Sequence, residues 1–204
     1  MRPLITISRQ YGSGGREIGE RVATLLGYAY YDHELIKRAA QEGDFDEDLV
    51  REDGEGVFGR LSSLLSYAHT VVGKDEDTLP LPDRMFLVQS RIIKQIADEG
   101  PCVIIGHSAD YLLADRPGLL NVYVHSDWDV RVARVMARNG LSEHDAVARI
   151  RKIDRQRSVF YEQHTGQKWG ATESCHLSLS SSYFGIEGAT ALIVAVATGA
   201  GDAP

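Results

Sequence analysis

Apolar positions along the chain follow two spacings, which predict short strands that alternate with helices. The predicted strands are short and lie at residues 5–7, 28–31, 102–106, 119–124 and 177–180. The run 102–106 is apolar and β-branched, whereas 177–180 alternates between apolar and polar residues. The predicted helices carry apolar residues at helical spacing and lie at residues 18–26, 57–72, 83–100, 127–139, 142–157 and 186–197. Strands that alternate with helices imply a parallel sheet with right-handed crossovers.

Several helix ends are marked by capping signals. Asp83 follows two prolines and is the predicted N-cap of its helix, and Gly140 ends the helix before it. The helix that opens at Ser142 carries Asp145 three residues later, which resembles a capping box. Residues 199–204 form a predicted frayed tail.

A glycine-rich turn follows the first predicted strand and leads into the first helix. Gly12, Gly14 and Gly15 lie in this turn. Glycines let backbone N–H groups converge on an anion, and a helix N-terminus adds positive partial charge. Strand, glycine turn and helix near the start of a chain therefore predict a phosphate-binding loop in an α/β nucleotide fold.

The loop departs from the common phosphate-loop pattern G-x-x-x-x-G-K-[ST]. Aligning Gly14 with the second glycine of that pattern puts Arg9 at the first glycine and Gly15 at the lysine. Arg16 is the nearest replacement cation, with a planar fork of donors. Glu17 is either a magnesium ligand or an acidic first-turn residue favoured by the helix dipole.

A dinucleotide-binding fingerprint, G-x-G-x-x-G, is the rival interpretation of the same turn. Gly12 and Gly14 fit its first two positions, and Asp32 follows the second predicted strand. Glu17, however, occupies the third position, where a small residue is needed for helix–strand packing. This makes a nicotinamide-dependent oxidoreductase the weaker hypothesis.

Composition limits the classes of protein to which the chain can belong. Its 204 residues are 43% hydrophobic and 25% charged, as in a globular domain, and the formal net charge is −7. That charge argues against nonspecific nucleic-acid binding. We expect no membrane-crossing segment and no signal peptide. Two cysteines, Cys102 and Cys175, form no disulfide framework, which predicts a reduced cytoplasm.

Charge is concentrated in two stretches. Residues 42–55 are strongly acidic and are either a solvated face or a metal site. The second stretch is basic and covers two predicted helices, with Arg131, Arg134, Arg138, Arg149, Arg151, Lys152, Arg155 and Arg157. Guanidinium groups stabilise a transferring phosphoryl group, although such a helix can also be a solvated one with ion pairs such as Asp154 with Arg157. Tyr161 and Trp169 are predicted packing residues.

Together these residues resemble the cytidylate kinase-like family, relatives of the nucleoside monophosphate kinases. The resemblance covers residues 5–194. Its motifs are residues 7–18 (ISRQYGSGGREI), 30–32 (YYD), 103–106 (VIIG), 109–111 (ADY), 161 (Y), 165–166 (TG), 168–170 (KWG) and 185–189 (GIEGA).

The resemblance implies a three-layer α/β fold of the P-loop kinase type, with a central parallel sheet flanked by helices. It implies one domain over residues 1–198, with a helical, acidic insert at 33–100 that binds the monophosphate and an arginine-bearing lid at 140–170. It implies ATP and Mg²⁺ as cofactors and a nucleoside monophosphate, CMP or dCMP, as the small-molecule acceptor. A homo-oligomer stays open.

Site residues follow from the resemblance position by position. The donor phosphates are assigned to Gly12, Ser13, Gly14, Gly15, Arg16 and Glu17. The acceptor is assigned to Asp32, Arg38, His107, Asp110 and Asp154. The catalytic cations are Arg16, Arg155 and Arg157, and the donor-side or lid cations are Arg131, Arg134 and Arg151.

Two departures from the family pattern raise an alternative function. His33 and Glu34 replace a Ser-Gly pair, and His107 replaces an arginine after the third strand. Because histidine is charged only part of the time near neutral pH, His107 would hold an acceptor phosphate less well, or be a neutral packing residue. With the missing lysine, this leaves open a nucleotide-binding sensor without kinase activity.

Overall fold

A five-stranded parallel sheet forms the centre of the protein in a computed structural model, which describes residues 3–32, 79 and 81–199. The spatial order of the strands is β2-β3-β1-β4-β5, and every pair is parallel. The strands are β1 (Leu4–Arg9), β2 (Ala29–Tyr31), β3 (Cys102–Ile105), β4 (Leu119–His125) and β5 (Leu177–Ser180). All five predicted strands are confirmed.

Helices cover both faces of this sheet, as the predicted three-layer fold requires. They are α1 (Gly15–Leu26), α2 (Leu81–Glu99), α3 (Ala109–Leu112), α4 (Trp128–Asn139), α5 (Glu143–Thr165) and α6 (Ser181–Thr198). The predicted cap of α5 is confirmed, since the Ser142 hydroxyl accepts a hydrogen bond from the Asp145 N–H at 3.2 Å.

The two faces of the sheet bury separate apolar cores. Alternate residues of each strand point to opposite faces, so Ile5 and Ile7 pack with Ile18 of α1 and Ile193 of α6 on one face. On the other face the core includes Ile104 of β3 and, from α2, Val88, Ile92, Ile93 and Ile96. Burial of each large side chain contributes about 1.5–3 kcal/mol, which fixes the strand ends where the site forms.

Three helices begin earlier than the sequence pattern predicts, the first being α1, which begins at Gly15. Helix α2 begins at Leu81, so Asp83 lies in its first turn and is not its N-cap. Proline is compatible with a first helical turn because its missing N–H needs no partner there, and Pro82 therefore does not stop this helix. Helix α6 begins at Ser181, and its first turn is separated from the rest by a kink at Gly185 (φ 68°, ψ 178°).

Some predictions fall outside the described residues. These are the acidic stretch 42–55, the predicted helix 57–72 and Arg38. Helix α2, which the predicted insert 33–100 includes, packs into the second core cluster through its apolar face. The division into insert and lid stays a prediction.

Helix α6 is the most apolar helix of the described chain. By length and composition alone its 18 residues could cross a membrane, although the sequence analysis expects no such segment. Ala189, Ile193 and Ala197 are fully buried against the first core cluster, however. Core helices of globular domains have this composition, so the observation is weak support for a membrane span.

Candidate active site at the glycine-rich loop

A pocket of about 560 Å³ lies at the carboxyl end of β1, where the glycine-rich loop leads into α1. We call it the loop pocket. Five guanidinium groups border it, from Arg9, Arg16, Arg134, Arg138 and Arg157. Among the described residues that line it, the only two carboxylates are those of Glu17 and Glu20. The local charge is therefore positive in a chain whose net charge is −7, which favours an anionic ligand.

The loop turns into α1 at Gly14, the N-cap, which has a left-handed backbone (φ 81°). A Cβ atom at this position would lie 2.5 Å from Ile186 Cδ1 and 2.8 Å from Arg134 Nη1, so only glycine lets these groups approach. The first N–H groups of a helix have no partner within it. At α1 they open at the loop pocket and add positive partial charge to it.

Arginines from α4 and α5 donate hydrogen bonds to the carbonyl groups of the loop. This fixes the peptide planes of the loop from two sides and holds the planar guanidinium groups beside it. The pairs are Arg157 Nη1 with Arg9 O at 2.9 Å, Arg131 Nε with Tyr11 O at 2.8 Å, and Arg134 Nη1 with Gly12 O at 3.1 Å.

Asp154 ties helix α5 to the same loop. Its Oδ1 accepts a hydrogen bond from the Tyr11 N–H at 2.8 Å, and its Oδ2 forms an ion pair with Arg131, which is 4% exposed. The predicted pair of Asp154 with Arg157 is therefore wrong: both oxygens face other partners, and Arg157 bonds the loop backbone instead. Tyr11, Arg131 and Asp154 contact one another in turn, and we call this set the clamp, which joins the loop, α4 and α5.

Two aromatic rings lie beside arginines of α4 and α5. The guanidinium carbons of Arg149 and Arg157 lie 6.0 and 5.7 Å from the centre of the Tyr11 ring. Those of Arg131 and Arg151 lie 5.5 and 5.7 Å from the Trp128 ring. Each such cation–π contact stabilises the position of its guanidinium group by about 0.5–1 kcal/mol.

Arg16, the predicted substitute for the lysine, is held by a buried carboxylate. Its Nε forms an ion pair with Oδ2 of Asp32, which is 5% exposed, and Arg9 Nη2 lies 3.7 Å from the other oxygen of Asp32. Tyr30 donates a hydrogen bond to the Arg16 carbonyl at 3.4 Å. Burial, together with the charge of Asp32, raises the pKa of Tyr30, so its hydroxyl stays a donor at neutral pH.

Arg9 reaches Asp32 across the turn that follows β3. Gly106 lies there with φ 73°, and a Cβ atom at this position would lie 2.0 Å from Arg9 Nη1. His107 and Ser108 continue with positive φ values of 57° and 53°, which are uncommon for residues with side chains. The turn is thus shaped so that the Arg9 side chain can pass.

Glu17 lies at the rim of the loop pocket. It is exposed and pairs with Arg21 at 2.9 Å, and Arg21 also binds Glu187 at 2.8 Å. No group of three metal-ligating side chains that could hold a metal ion occurs among the described residues. Mg²⁺ bound with a nucleotide needs only one or two protein carboxylates. Glu17 is the predicted one, and its role stays a prediction.

The structure brings some predicted site residues together and separates others. Gly12, Gly14, Gly15, Arg16, Glu17, Arg134 and Arg157 all line the loop pocket. Asp32, Asp154 and Arg131 lie just behind it, in the ion pairs described above. Ser13 is buried, and its hydroxyl donates to Gln10 O at 2.8 Å.

The remaining predicted residues do not line this pocket. Arg151 and Arg155 are exposed on α5, and His107 lies on the turn after β3. Asp110 lies in a separate cavity that also contains Tyr161, which is buried as predicted. The sequence places these residues on or next to elements that carry site residues, but it does not reveal the direction in which each side chain points.

Arg9 and Arg138 are pocket residues that the sequence analysis did not assign to the site. Arg9 was aligned only as a missing glycine. Its position at the end of a buried strand, directly before the loop, is the signal that could have identified it, because ligands of α/β proteins bind at the carboxyl ends of strands. Arg138 follows Arg134 by four residues and therefore lies on the same face of α4.

Comparisons of the sequence with known proteins identify its family. The sequence model described as the cytidylate kinase-like family matches residues 4–183. A cytidylate kinase from Aeropyrum pernix is 27% identical over 188 residues, which are 92% of this chain and 95% of that protein. The match favours the phosphate-loop interpretation of the glycine turn over the dinucleotide fingerprint.

Solved structures share the fold. An uncharacterized protein from Eubacterium ventriosum has a TM-score of 0.71 at 22% identity, with 96% of this chain and 98% of that one covered. Shikimate kinase from Bacteroides thetaiotaomicron has a TM-score of 0.51 at 13% identity, with 94% and 96% covered. At these identities the likeness concerns the fold alone.

Proposed function

We propose, on the premise that this chain belongs to the cytidylate kinase-like family, that it transfers the γ-phosphoryl group of ATP to a nucleoside monophosphate. The observation that carries the proposal is the loop pocket, where five guanidinium groups surround a glycine loop and a helix N-terminus. Phosphoryl transfer depends on positioning and on stabilising charge on the phosphoryl oxygens, and this set of groups supplies both.

The donor phosphates would lie against the loop, between α1 and the arginines of α4 and α5. ATP, with Mg²⁺, supplies the activated phosphoryl group. The N–H groups at the start of α1 and the guanidinium groups of Arg134 and Arg157 would bind its oxygens. Because those arginines already bond the loop carbonyls, they are in place before a nucleotide arrives.

Arg16 would replace the lysine of the usual loop. Asp32 holds it at the edge of the pocket through a buried ion pair, and Arg9 lies against the other carboxylate oxygen. Asp32 would therefore have two roles, which are to hold Arg16 and to bind the acceptor. CMP or dCMP is the proposed acceptor, supported by the family and by the relative described as a cytidylate kinase.

The test is a coupled assay of ATP consumption with Mg²⁺ and a panel of CMP, dCMP, UMP, AMP and GMP. We expect turnover with CMP or dCMP and a loss of about 100-fold or more in kcat for Arg16→Ala. Arg21→Ala is the matched control, since it removes a cation from the exposed side of the same helix, and it should change kcat less than about threefold. Turnover with none of the five would overturn the proposal.

A nucleotide-binding protein without kinase activity is the second candidate. The observation that favours it is the absence of a lysine at the loop combined with the commitment of Arg16 to Asp32. In that case ATP binding would be measurable by calorimetry, no acceptor in the panel would be phosphorylated, and Arg16→Ala would change only the Kd for ATP.

A further inference from the structure

A second cavity, of about 210 Å³, lies on the face of the sheet that carries α3 and α5, and it shares no lining residue with the loop pocket. We call it the Asp110 cavity. Asp110, Asn121 and Tyr161 are its buried polar residues among those described, at 5–7% exposure. Gln167, Glu173 and His176 are exposed members of its lining, so solvent reaches it.

Asp110 is the group in this cavity whose bonding is incomplete. Its Oδ2 accepts a hydrogen bond from the Tyr161 hydroxyl at 2.8 Å, but its Oδ1 is buried without a hydrogen-bond partner. The backbone N–H groups of Asp110 and Tyr111 lie near enough to the carboxylate to lower its pKa, but neither meets Oδ1 with the geometry of a hydrogen bond. A buried acceptor left unpaired is rare, and it indicates a missing partner.

The other buried polar group of the cavity is already paired. The Asn121 side-chain amide donates to Ser174 O at 2.5 Å, and its carbonyl oxygen accepts from the Thr6 hydroxyl at 3.3 Å. The Asn121 backbone N–H donates to Nδ1 of His176 at 2.9 Å. Oδ1 of Asp110 is therefore the open hydrogen-bonding position among the described buried residues of this cavity.

The charge of the lining defines what the missing partner must carry. Asp110 and Glu173 are acidic, and no lysine or arginine occurs among the described residues that line the cavity. Burial raises the pKa of Asp110, and the hydrogen bond from Tyr161 opposes this shift only in part. The hydrogen bond from Tyr161 to Asp110 links α5 to α3, and a neutral acceptor would be enough for that link. The charge and the second oxygen, Oδ1, are therefore available for a ligand.

We propose that the Asp110 cavity binds a small ligand through a protonated amino group, which donates a hydrogen bond to Asp110 Oδ1. The cavity is below the 300–1,000 Å³ usual for drug-sized ligands, so the ligand is an ammonium ion or a small primary amine. An ammonium group supplies both the positive charge and the N–H donors that the lining lacks. The resemblance assigns Asp110 to the acceptor, but Asp110 lies outside the described lining of the loop pocket, so the amine site is proposed separately from the kinase reaction.

Isothermal titration calorimetry at constant ionic strength tests this. The titrants are ammonium, methylammonium, potassium and tetramethylammonium chlorides; the last two carry the charge without an N–H donor. We expect saturable binding of ammonium or methylammonium, with the tighter of the two identifying the source, and binding of the other two salts at least tenfold weaker. Equal binding of potassium, or no binding of either amine salt, would overturn the proposal.

Three variants locate the site. Asp110→Asn keeps the shape of the side chain, and we expect its Kd for the bound amine to rise about tenfold or more. Tyr161→Phe keeps the carboxylate, so binding should persist within about threefold. Asp98→Asn removes a charge from the exposed pair with Arg116 and should change nothing.

An unchanged Kd in Asp110→Asn would overturn the assignment. Repeating the titration with saturating ATP separates this site from the loop pocket, because competition by ATP would place the amine in the loop pocket instead.

Discussion

The loop pocket and the Asp110 cavity lie beside the same helix, α5, but they differ in how their charged groups are paired. At the loop pocket, the buried Asp32 faces Arg16 and the partly buried Asp154 faces the buried Arg131, so each carboxylate has a guanidinium partner. In the cavity, Oδ2 of Asp110 accepts a hydrogen bond from a tyrosine hydroxyl, Oδ1 has no hydrogen-bond partner, and no guanidinium occurs among the described lining residues.

The difference separates two uses of buried charge. Buried charges that are paired and hydrogen-bonded can hold a backbone in place, and around the loop they fix the atoms that would bind phosphate. A buried charge without such a partner destabilises the fold and is retained where it has another role. Removing the charge of a paired carboxylate should therefore lower the stability of the fold, whereas removing the charge of the unpaired Asp110 should raise it.

The largest effect is expected from Asp154→Asn, which leaves Arg131 buried without its carboxylate. We expect the free energy of unfolding to fall by about 3 kcal/mol, because an uncompensated charge remains in the interior. Chemical denaturation measures this. The control is Asp98→Asn, where the pair with Arg116 is exposed and the loss should stay below about 1 kcal/mol. Equal losses in both variants would show that the clamp is not a buried pair.

Gly106→Ala should disturb the same side of the contrast by a steric route. The new Cβ would overlap Arg9 Nη1 and displace it from Asp32. Gly140→Ala is the matched control, since Gly140 also has a positive φ (63°) but no atom within 4 Å of the added Cβ.

The excess destabilisation of Gly106→Ala over Gly140→Ala should be about 2 kcal/mol, with a higher Kd for ATP in Gly106→Ala alone. Thermal unfolding and calorimetric titration with ATP check both values. If the two variants lose the same stability and bind ATP alike, the passage of Arg9 across this turn has no energetic role.

Asp110→Asn should act in the opposite direction and stabilise the protein at pH 7, by about 1 kcal/mol. Because burial raises the folded-state pKa of Asp110 above its usual value of 3.8, the carboxyl favours folding when protonated and opposes it as the pH rises through that range. The gain of the variant should therefore be largest near neutral pH and shrink toward pH 4. Urea unfolding at several pH values measures it; a gain that does not depend on pH would exclude the charge as its cause.

Glu17→Gln should have the smallest effect on stability. Its carboxylate pairs with Arg21 at an exposed position, so the free energy of unfolding should change by less than about 0.5 kcal/mol. The same variant sharpens the magnesium prediction. If Glu17 binds the metal of the nucleotide, the Mg²⁺ concentration needed for half-maximal ATP consumption rises, whereas in a purely structural role it stays the same.

Most of the fold follows from the sequence because its signals are local. Continuous apolar runs predicted buried strands at 102–106 and 119–124, alternation predicted the strand at 177–180, and the structure confirms all five predicted strands. Boundaries were less certain where two local signals compete: prolines usually precede a helix, yet Pro82 lies inside the first turn of α2. At α6, the first turn begins at Ser181, but it was not predicted because the helical pattern is interrupted at Gly185.

The site was predictable only in part, because its pairings are long-range. The glycine loop and Arg16 are visible from spacing alone. The pair of Asp154 with Arg131 joins two helices, and a rule for residues three or four apart instead favoured Arg157. Arg9 was missed for a similar reason, since its partner Asp32 follows a different strand.

The chain contains two tryptophans, and each lies beside a different pocket. Trp128 contacts Arg131 of the clamp, while Trp169 packs edge-to-face on Tyr123 at 5.9 Å and lines a recess with Asp110. The protein thus carries one intrinsic optical probe for each site. Replacing either indole with phenylalanine leaves a single tryptophan, which can be excited selectively over the tyrosines, so that occupancy of the two pockets can be followed separately by fluorescence, without an attached dye.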